Sequence, residues 1–289
     1  MRILYPFAKR FIAGENLETA LKNIYKLNDN GYLCTIDVLG EDTHNPGQAE
    51  NARDEYIALL KAIETHHMPL DLSLKLSQMG LSIDPALCRK NVEAVIDAAG
   101  QHTVRFDMEG SNLTQAILDM CLELHQPHSN LGIVVQAYLH RTEKDVATMI
   151  DKQISVRLCK GAYKEPADIA FQDMQAIREN FLKLAHPLLK EGHLPAIATH
   201  DETLIRHILQ FIEKEKIAPE TFYFELLYGV RRDLQKHLLD QGYQVRIYVP
   251  YGSAWLPYTL RRLAERKENI LFVIKSLVQE TLGLGKLGK

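Results

Sequence analysis

The stretch SVRLCKG (155–161) is a short β-branched and aliphatic run that ends in a lysine and a glycine, and the residues after it decide the fold. Next comes ADIAFQDMQAIRENFLKLAHPLLK (167–190), apolar at helical spacing, and then a second short run, PAIATH (195–200). Strand, helix and strand in that order make a βαβ unit with parallel strands. The alternation extends in both directions. Upstream lie LCTIDVLG (33–40), DLSLKLS (71–77), VRFDME (104–109) and LGIVVQAY (131–138); downstream lie FYFELLYG (222–229) and QVRIYVPYG (244–252). QAENARDEYIALLKAIETHH (48–67) is one of the helical segments between them. Eight such units in 289 residues fit a closed (β/α)8 TIM barrel, which takes about 250 residues, with a doubly wound open sheet as the alternative. ENLETALKNIYKLNDNG (15–31) predicts an extra helix before the first strand. No Pro-, Gly- or Ser-rich linker divides the chain. The expectation is one catalytic domain over 1–289, with its core at about 30–275 and a mobile tail at 283–289.

Apolar residues make up 46% of the chain and charged residues 25%, enough for a sizeable core. A net charge of −3 argues against nucleic acid as a partner, since that surface needs a basic excess. Cys34, Cys88, Cys121 and Cys159 are scattered without a CxxC pair, which fits reduced, packed thiols in a cytoplasmic protein. No apolar run approaches the roughly 20 residues that span a bilayer.

Polar residues gather toward the C-terminal ends of the strand-like runs: Asp37, Lys75, Asp107, Glu109, Gln136, Lys160, Thr199, His200 and Tyr248. In a barrel those ends form one rim, where the βα loops build the active site. Other motifs carry less. GLGKLG (283–288) matches GxGxxG but has no strand before it and no helix after it. His125 and His128 have HxxH spacing, yet the proline of HQPHSN predicts a turn, and no metal is expected there. His66 and His67 read as the end of a helix.

YTLRRLAE (258–265) poses a choice. Leu256, Leu260, Leu263 and Ala264 read as the apolar stripe of a helix, with Tyr258, Arg261, Arg262 and Glu265 on the other face. Paired guanidiniums beside a phenol are either a solvated surface or a clamp for an anion.

Taken together, SLKLSQMGL, RFDMEGS, VVQAYL, VRLCKGAY, ATHD, FELLYGVR, RIYVPYG and YTLRRLAERKEN resemble the proline dehydrogenase family, in family order and over nearly the whole chain. The resemblance implies a distorted (β/α)8 barrel and FAD-dependent oxidation of L-proline to Δ1-pyrroline-5-carboxylate, the first step of proline catabolism, by hydride transfer from C5 to flavin N5. It implies Asp107 and Arg157 as catalytic residues. It places Lys75, Tyr163, Leu227, Tyr248, Tyr258, Arg261 and Arg262 around the substrate, with Glu265 orienting the arginines. Met108, Gln136, Arg157, Lys160, Gly161, Ala162, Thr199 and His200 would hold FAD. The partners it implies are a quinone electron acceptor, a separate pyrroline-5-carboxylate dehydrogenase, and a peripheral contact with the inner face of the membrane. Two positions depart from the family pattern: Glu225, where many relatives carry Gln, and Cys159, where an aliphatic residue is commoner. A Schiff-base lyase built on Lys75 or Lys160 is the competing enzyme reading, and a sensor barrel the non-enzymatic one.

Overall fold

β-branched and aliphatic residues carry each strand through the core of the protein, whose computed structural model describes residues 5–40, 42–64 and 70–264. The strands are β1 (Leu33–Val38), β2 (Leu70–Leu74), β3 (Thr103–Phe106), β4 (Leu131–Gln136), β5 (Ser155–Cys159), β6 (Ala196–Ala198), β7 (Tyr223–Leu227) and β8 (Val245–Tyr251). Each pairs in parallel with the next, and β8 pairs with β1 to close the barrel. Helices α1 (Tyr5–Ala8) and α2 (Leu17–Asp29) precede β1, so the extra helix expected from the sequence is present as α2. Then α3 (Pro46–Glu64), α4 (Pro85–Ala99), α5 (Ser111–His125), α6 (Thr142–Asp151), α7 (Met174–Glu191), α8 (Glu202–Glu215), α9 (Arg232–Asp240) and α10 (Trp255–Ala264) follow the eight strands in turn. This is the (β/α)8 barrel, and the open-sheet alternative is excluded by the β1–β8 pairing.

Three local expectations need correction. Helical periodicity predicts a helix from Ala167, but α7 starts at Met174, where Asp173 caps it by accepting from the Ala176 amide at 2.9 Å. The preceding residues instead bridge the end of β4: Phe171 donates its amide to Tyr138, and His140 donates to Ile169. His125 closes α5, so the turn expected around the proline begins one residue later, at Gln126. On α10, Leu260 is 49% exposed while Trp255, Tyr258 and Thr259 are buried, so Leu260 leaves the expected apolar stripe, whereas half-buried Leu256 packs against the same cluster as Trp255 and Tyr258. The residues on the inward face are spaced i, i+3, i+4. Leu263 and Ala264 have side chains outside the described part. So do His66, His67 and the 283–289 tail, which lie beyond it altogether.

The lumen is charged. Contacts between non-neighbouring strands can form only through the interior, and they define two layers. In the lower, Asp71 of β2 meets Arg246 of β8 at 3.0 Å and Arg105 of β3 at 3.3 Å, while Arg105 also donates to the Ser155 carbonyl of β5. In the upper, Arg157 of β5 reaches Ser73 of β2. Gly132 makes the lower layer fit, because a Cβ there would come within 2.8 Å of Arg105 Nη1 and 2.9 Å of the Ser155 carbonyl. Gly132→Ala is therefore expected to lower the unfolding free energy by about 1–3 kcal/mol, read as a reduced urea midpoint with an unchanged slope.

Candidate active site

The upper lumen layer opens into a cleft of about 1090 Å³ at the C-terminal ends of the strands. Lys75 and Asp107 each stand one residue beyond a strand, where the backbone is still held by the barrel and the side chain already faces the mouth. Asp107 is the hub. Its Oδ1 accepts from Ser73 Oγ at 2.5 Å and from Arg157 Nη1 at 2.9 Å; its Oδ2 accepts from Tyr248 OH at 2.9 Å and Lys75 Nζ at 3.1 Å. Asp37, at 3.0 Å, is the second carboxylate on Lys75, and Glu225, at 2.7 Å, the second on Arg157. All of these side chains are buried or nearly so.

Burial and charge compete in this cluster. Burial alone would push the Asp107 carboxyl up, but Lys75, Arg157 and the Ser73 hydroxyl together pull it down to about 2. Asp37 goes the other way: its burial outweighs the pull of Lys75, and neighbouring Asp107 adds to the rise. Burial would strip Lys75 of its proton, yet Asp37, Tyr248 and Asp107 outweigh it and hold the ammonium well above its usual range. Lys75 is therefore a fixed cation and not a nucleophile, which removes the footing of a Schiff-base reading at this lysine. Lys160 is also ion-paired, to Asp201 at 3.2 Å, a carboxylate shared with Arg178.

The other residues expected from the sequence line the same cleft: Met108, Gln136, Gly161, Ala162, Tyr163, Thr199, His200, Leu227, Tyr258 and Arg262. Gln136 donates to the Glu109 carbonyl at 3.0 Å, and His200 Nε2 accepts the Leu227 amide at 2.9 Å, joining β6 to β7 at the rim. Gly161 has φ +114°, and a Cβ there would meet the Tyr138 ring at 2.2 Å, so only glycine lets the chain turn this tightly. Tyr248 lies beneath Arg157, whose Cζ is 5.1 Å from the ring centroid; Arg262 Cζ is 5.3 Å from the Tyr258 ring. Glu265 and the Arg261 side chain lie outside the described residues. Ser73 escapes the sequence reading and Asp37 enters it only as a rim residue, although their even spacing from Lys75 and Leu39 along the strands puts them on the lumen face.

Arg157 Nη2, Glu225 Oε1 and Tyr138 OH are buried in the mouth without a hydrogen-bond partner within the described chain. A buried guanidinium N–H left unpaired is costly unless something docks against it. Burial drives all four thiols up to about 12; Cys159, which lines the cleft, is the half-buried one. A second groove of about 1110 Å³ runs between α8 and α9 on the barrel flank, but no buried charged cluster converges on it.

Known proteins match this chain over most of its length. A family model described as proline dehydrogenase matches residues 20–275. Proline dehydrogenase 1 of Bacillus subtilis subsp. natto is 37% identical over 275 residues, covering 94% of this chain and 91% of that protein. Proline dehydrogenase of Deinococcus radiodurans is 34% identical over 283 residues, covering 96% of this chain and 91% of that protein. Among solved structures, proline utilization A (PutA) from Bdellovibrio bacteriovorus, inactivated by N-propargylglycine, superimposes with a TM-score of 0.82 at 25% identity. The match covers 90% of this chain and 32% of the larger PutA chain. A closed barrel with a charged mouth, matched over nearly its whole length by these relatives, places this chain in the proline dehydrogenase family.

Proposed function

We propose that this protein oxidises L-proline to Δ1-pyrroline-5-carboxylate with FAD bound in the barrel mouth. The observation that carries the reading is the buried Arg157, gripped by Asp107 and Glu225, with Nη2 left over at the wall of a cleft that Tyr258 and Arg262 also line. The residues present fit a flavin: an unspent guanidinium N–H on β5, a glycine turn that lets a ring approach the backbone, and Gln136 at the end of β4 with Thr199 and His200 just beyond β6. Bound FAD would supply the two-electron acceptor, and the protein supplies orientation and charge. Arg157 would stabilise negative charge at the flavin ring, with Met108, Lys160 and Ala162 holding the rest of the cofactor. Asp107 keeps Arg157, Lys75 and Tyr248 in one geometry.

On the substrate side, the guanidiniums of Arg261 and Arg262, assisted by Lys75, would bind the proline carboxylate, because a planar fork matches a carboxylate. Tyr163, Leu227, Tyr248 and Tyr258 would wall the pyrrolidine ring and exclude water. Electrons would pass on to a quinone, with the protein in the cytoplasm and in peripheral contact with the membrane. The product would go to a separate pyrroline-5-carboxylate dehydrogenase. Among the described residues no helix is long and apolar enough to cross a membrane.

The test is an absorption spectrum of the purified protein before and after anaerobic L-proline. Flavin bands that bleach on addition support the reading; a colourless protein, or bands that ignore proline, reject it. Tyr248 offers a finer check. Its ring is taken to fill the space of a 4-hydroxyl, and its phenol also donates to Asp107. Tyr248→Ser should slow turnover of both substrates yet cut the proline-to-hydroxyproline ratio of kcat/KM by about tenfold or more.

A further inference from the structure

Helix α10 carries Tyr258 and Arg262 to the cleft, but it is not packed on the main barrel core. Its inward face enters a separate apolar cluster made of Ala8, Phe11, Ile12, Trp255 and Tyr258. Most of that cluster comes from the chain's beginning, with the Tyr5 ring 5.5 Å from the Trp255 ring. Trp255, the first residue of α10, donates its indole N–H to Glu15 Oε1 at 2.7 Å. The N-terminal segment is in turn fastened to the barrel. The Ala13 amide donates to the Pro250 carbonyl at 2.8 Å, and the Gly252 amide donates to Gly14 at 3.0 Å, so residues 13 and 14 straddle the end of β8. On the other side the Arg10 carbonyl presses against Gly229, where a Cβ would sit 1.6 Å from that oxygen and φ is +71°.

We infer that residues 5–15 are a positioning arm for the substrate helix, with the Glu15–Trp255 hydrogen bond as its fixed point. Trp255, Tyr258, Thr259 and Arg262 are spaced i, i+3, i+4 and i+7, so they share one face of α10. Rotation or tilt of that face at Trp255 therefore moves Tyr258 and Arg262 together. The family model's match begins at residue 20, beyond this arm. The inference rests on the proline reading only for its consequence: a loosened arm misplaces Arg262 and weakens carboxylate binding, while the Asp107–Arg157 cluster deep in the mouth is untouched.

The experiment uses the full-length, cofactor-loaded protein. Glu15→Ala should raise KM for L-proline about tenfold, the effect of one lost charge-assisted hydrogen bond, with kcat within about twofold of the parent. Glu15→Gln, which keeps the acceptor oxygen, should restore the parent KM. Trp255→Phe, which keeps the ring but loses the donor, should match Glu15→Ala, and the double variant should be no worse than either single one. Amide hydrogen exchange over 255–264 should speed up in Glu15→Ala and recover in Glu15→Gln. Unchanged exchange overturns the arm. Faster exchange with an unchanged KM, or a fall in kcat alone, overturns its positioning role. A parent protein that does not oxidise proline sinks the activity reading instead, and the exchange comparison still decides whether the arm holds the helix.

Discussion

Asp107→Ala is expected to lower the unfolding free energy by about 3 kcal/mol and to cut kcat/KM for proline by about a hundredfold or more. The carboxylate accepts four hydrogen bonds, from Ser73, Lys75, Arg157 and Tyr248, and removing it leaves two buried cations each with only one counter-ion. Breaking a buried pair from one side leaves a desolvated charge, which outweighs any gain in apolar volume. The loss stops near the lower end of the usual range because Asp37 still holds Lys75 and Glu225 still holds Arg157. Activity falls further than stability, since both cations and Tyr248 lose the group that sets their common geometry. The pH dependence separates this account from simple cavity formation. With its folded value pulled down to about 2, Asp107 contributes stability that is fully present above its unfolded value near 4 and is lost as pH falls toward 2. Asp37, raised by burial, works in the opposite sense: it takes up a proton more readily when folded, so its protonation stabilises the fold as pH falls. Urea midpoints between pH 5 and 2 should therefore fall more steeply in the parent than in Asp107→Ala. Parallel curves would place the stability of the mouth elsewhere.

The barrel was legible in the sequence because each strand announces itself locally. Runs such as LGIVVQAY and QVRIYVPYG need only side-chain type and period, and their order alone implies parallel pairing. The rim was legible for the same reason, since polar residues at strand ends such as Lys75, Asp107 and Tyr248 can be marked without knowing what they touch. Residue type and period alone do not say what they touch. Arg157 meets Ser73 and Glu225 across the lumen, between strands 84 and 68 positions apart in sequence, and no spacing within one segment encodes that meeting. Glu225 could be noted as a departure from the family pattern, but its role as second carboxylate on Arg157 emerges only from closure of the barrel. The face of α10 was misassigned on similar grounds. Leucines are assumed to point inward, yet Trp255 and Tyr258 enter the apolar cluster with Phe11 and Ile12 while Leu260 is left to solvent. A helix adopts the orientation its partners offer, and here the partner came from the opposite end of the chain.

Arg262→Met should raise KM for L-proline about ten- to a hundredfold, equivalent to about 1.5–3 kcal/mol, while kcat changes little. Methionine keeps the long apolar stem that packs beside Tyr258 and deletes only the charge, so α10 should stay seated through Trp255, Tyr258 and Thr259. The guanidinium lines the cleft with its Cζ 5.3 Å from the Tyr258 ring, an arrangement that holds the planar group in one orientation before any carboxylate arrives. Lysine would retain the charge but neither stack nor fork, so Arg262→Lys should recover only part of the loss. The contrast with Asp107 is mechanistic. A group that binds the substrate equally in the ground state and at the barrier shifts KM, whereas a group that sets the geometry of the reacting centre shifts kcat. Steady-state kinetics of Arg262→Met can therefore fail in two informative ways. An unchanged KM would mean that the cation does not meet the carboxylate, and a kcat loss as deep as that of Asp107→Ala would move Arg262 from the binding of the substrate to the reaction itself.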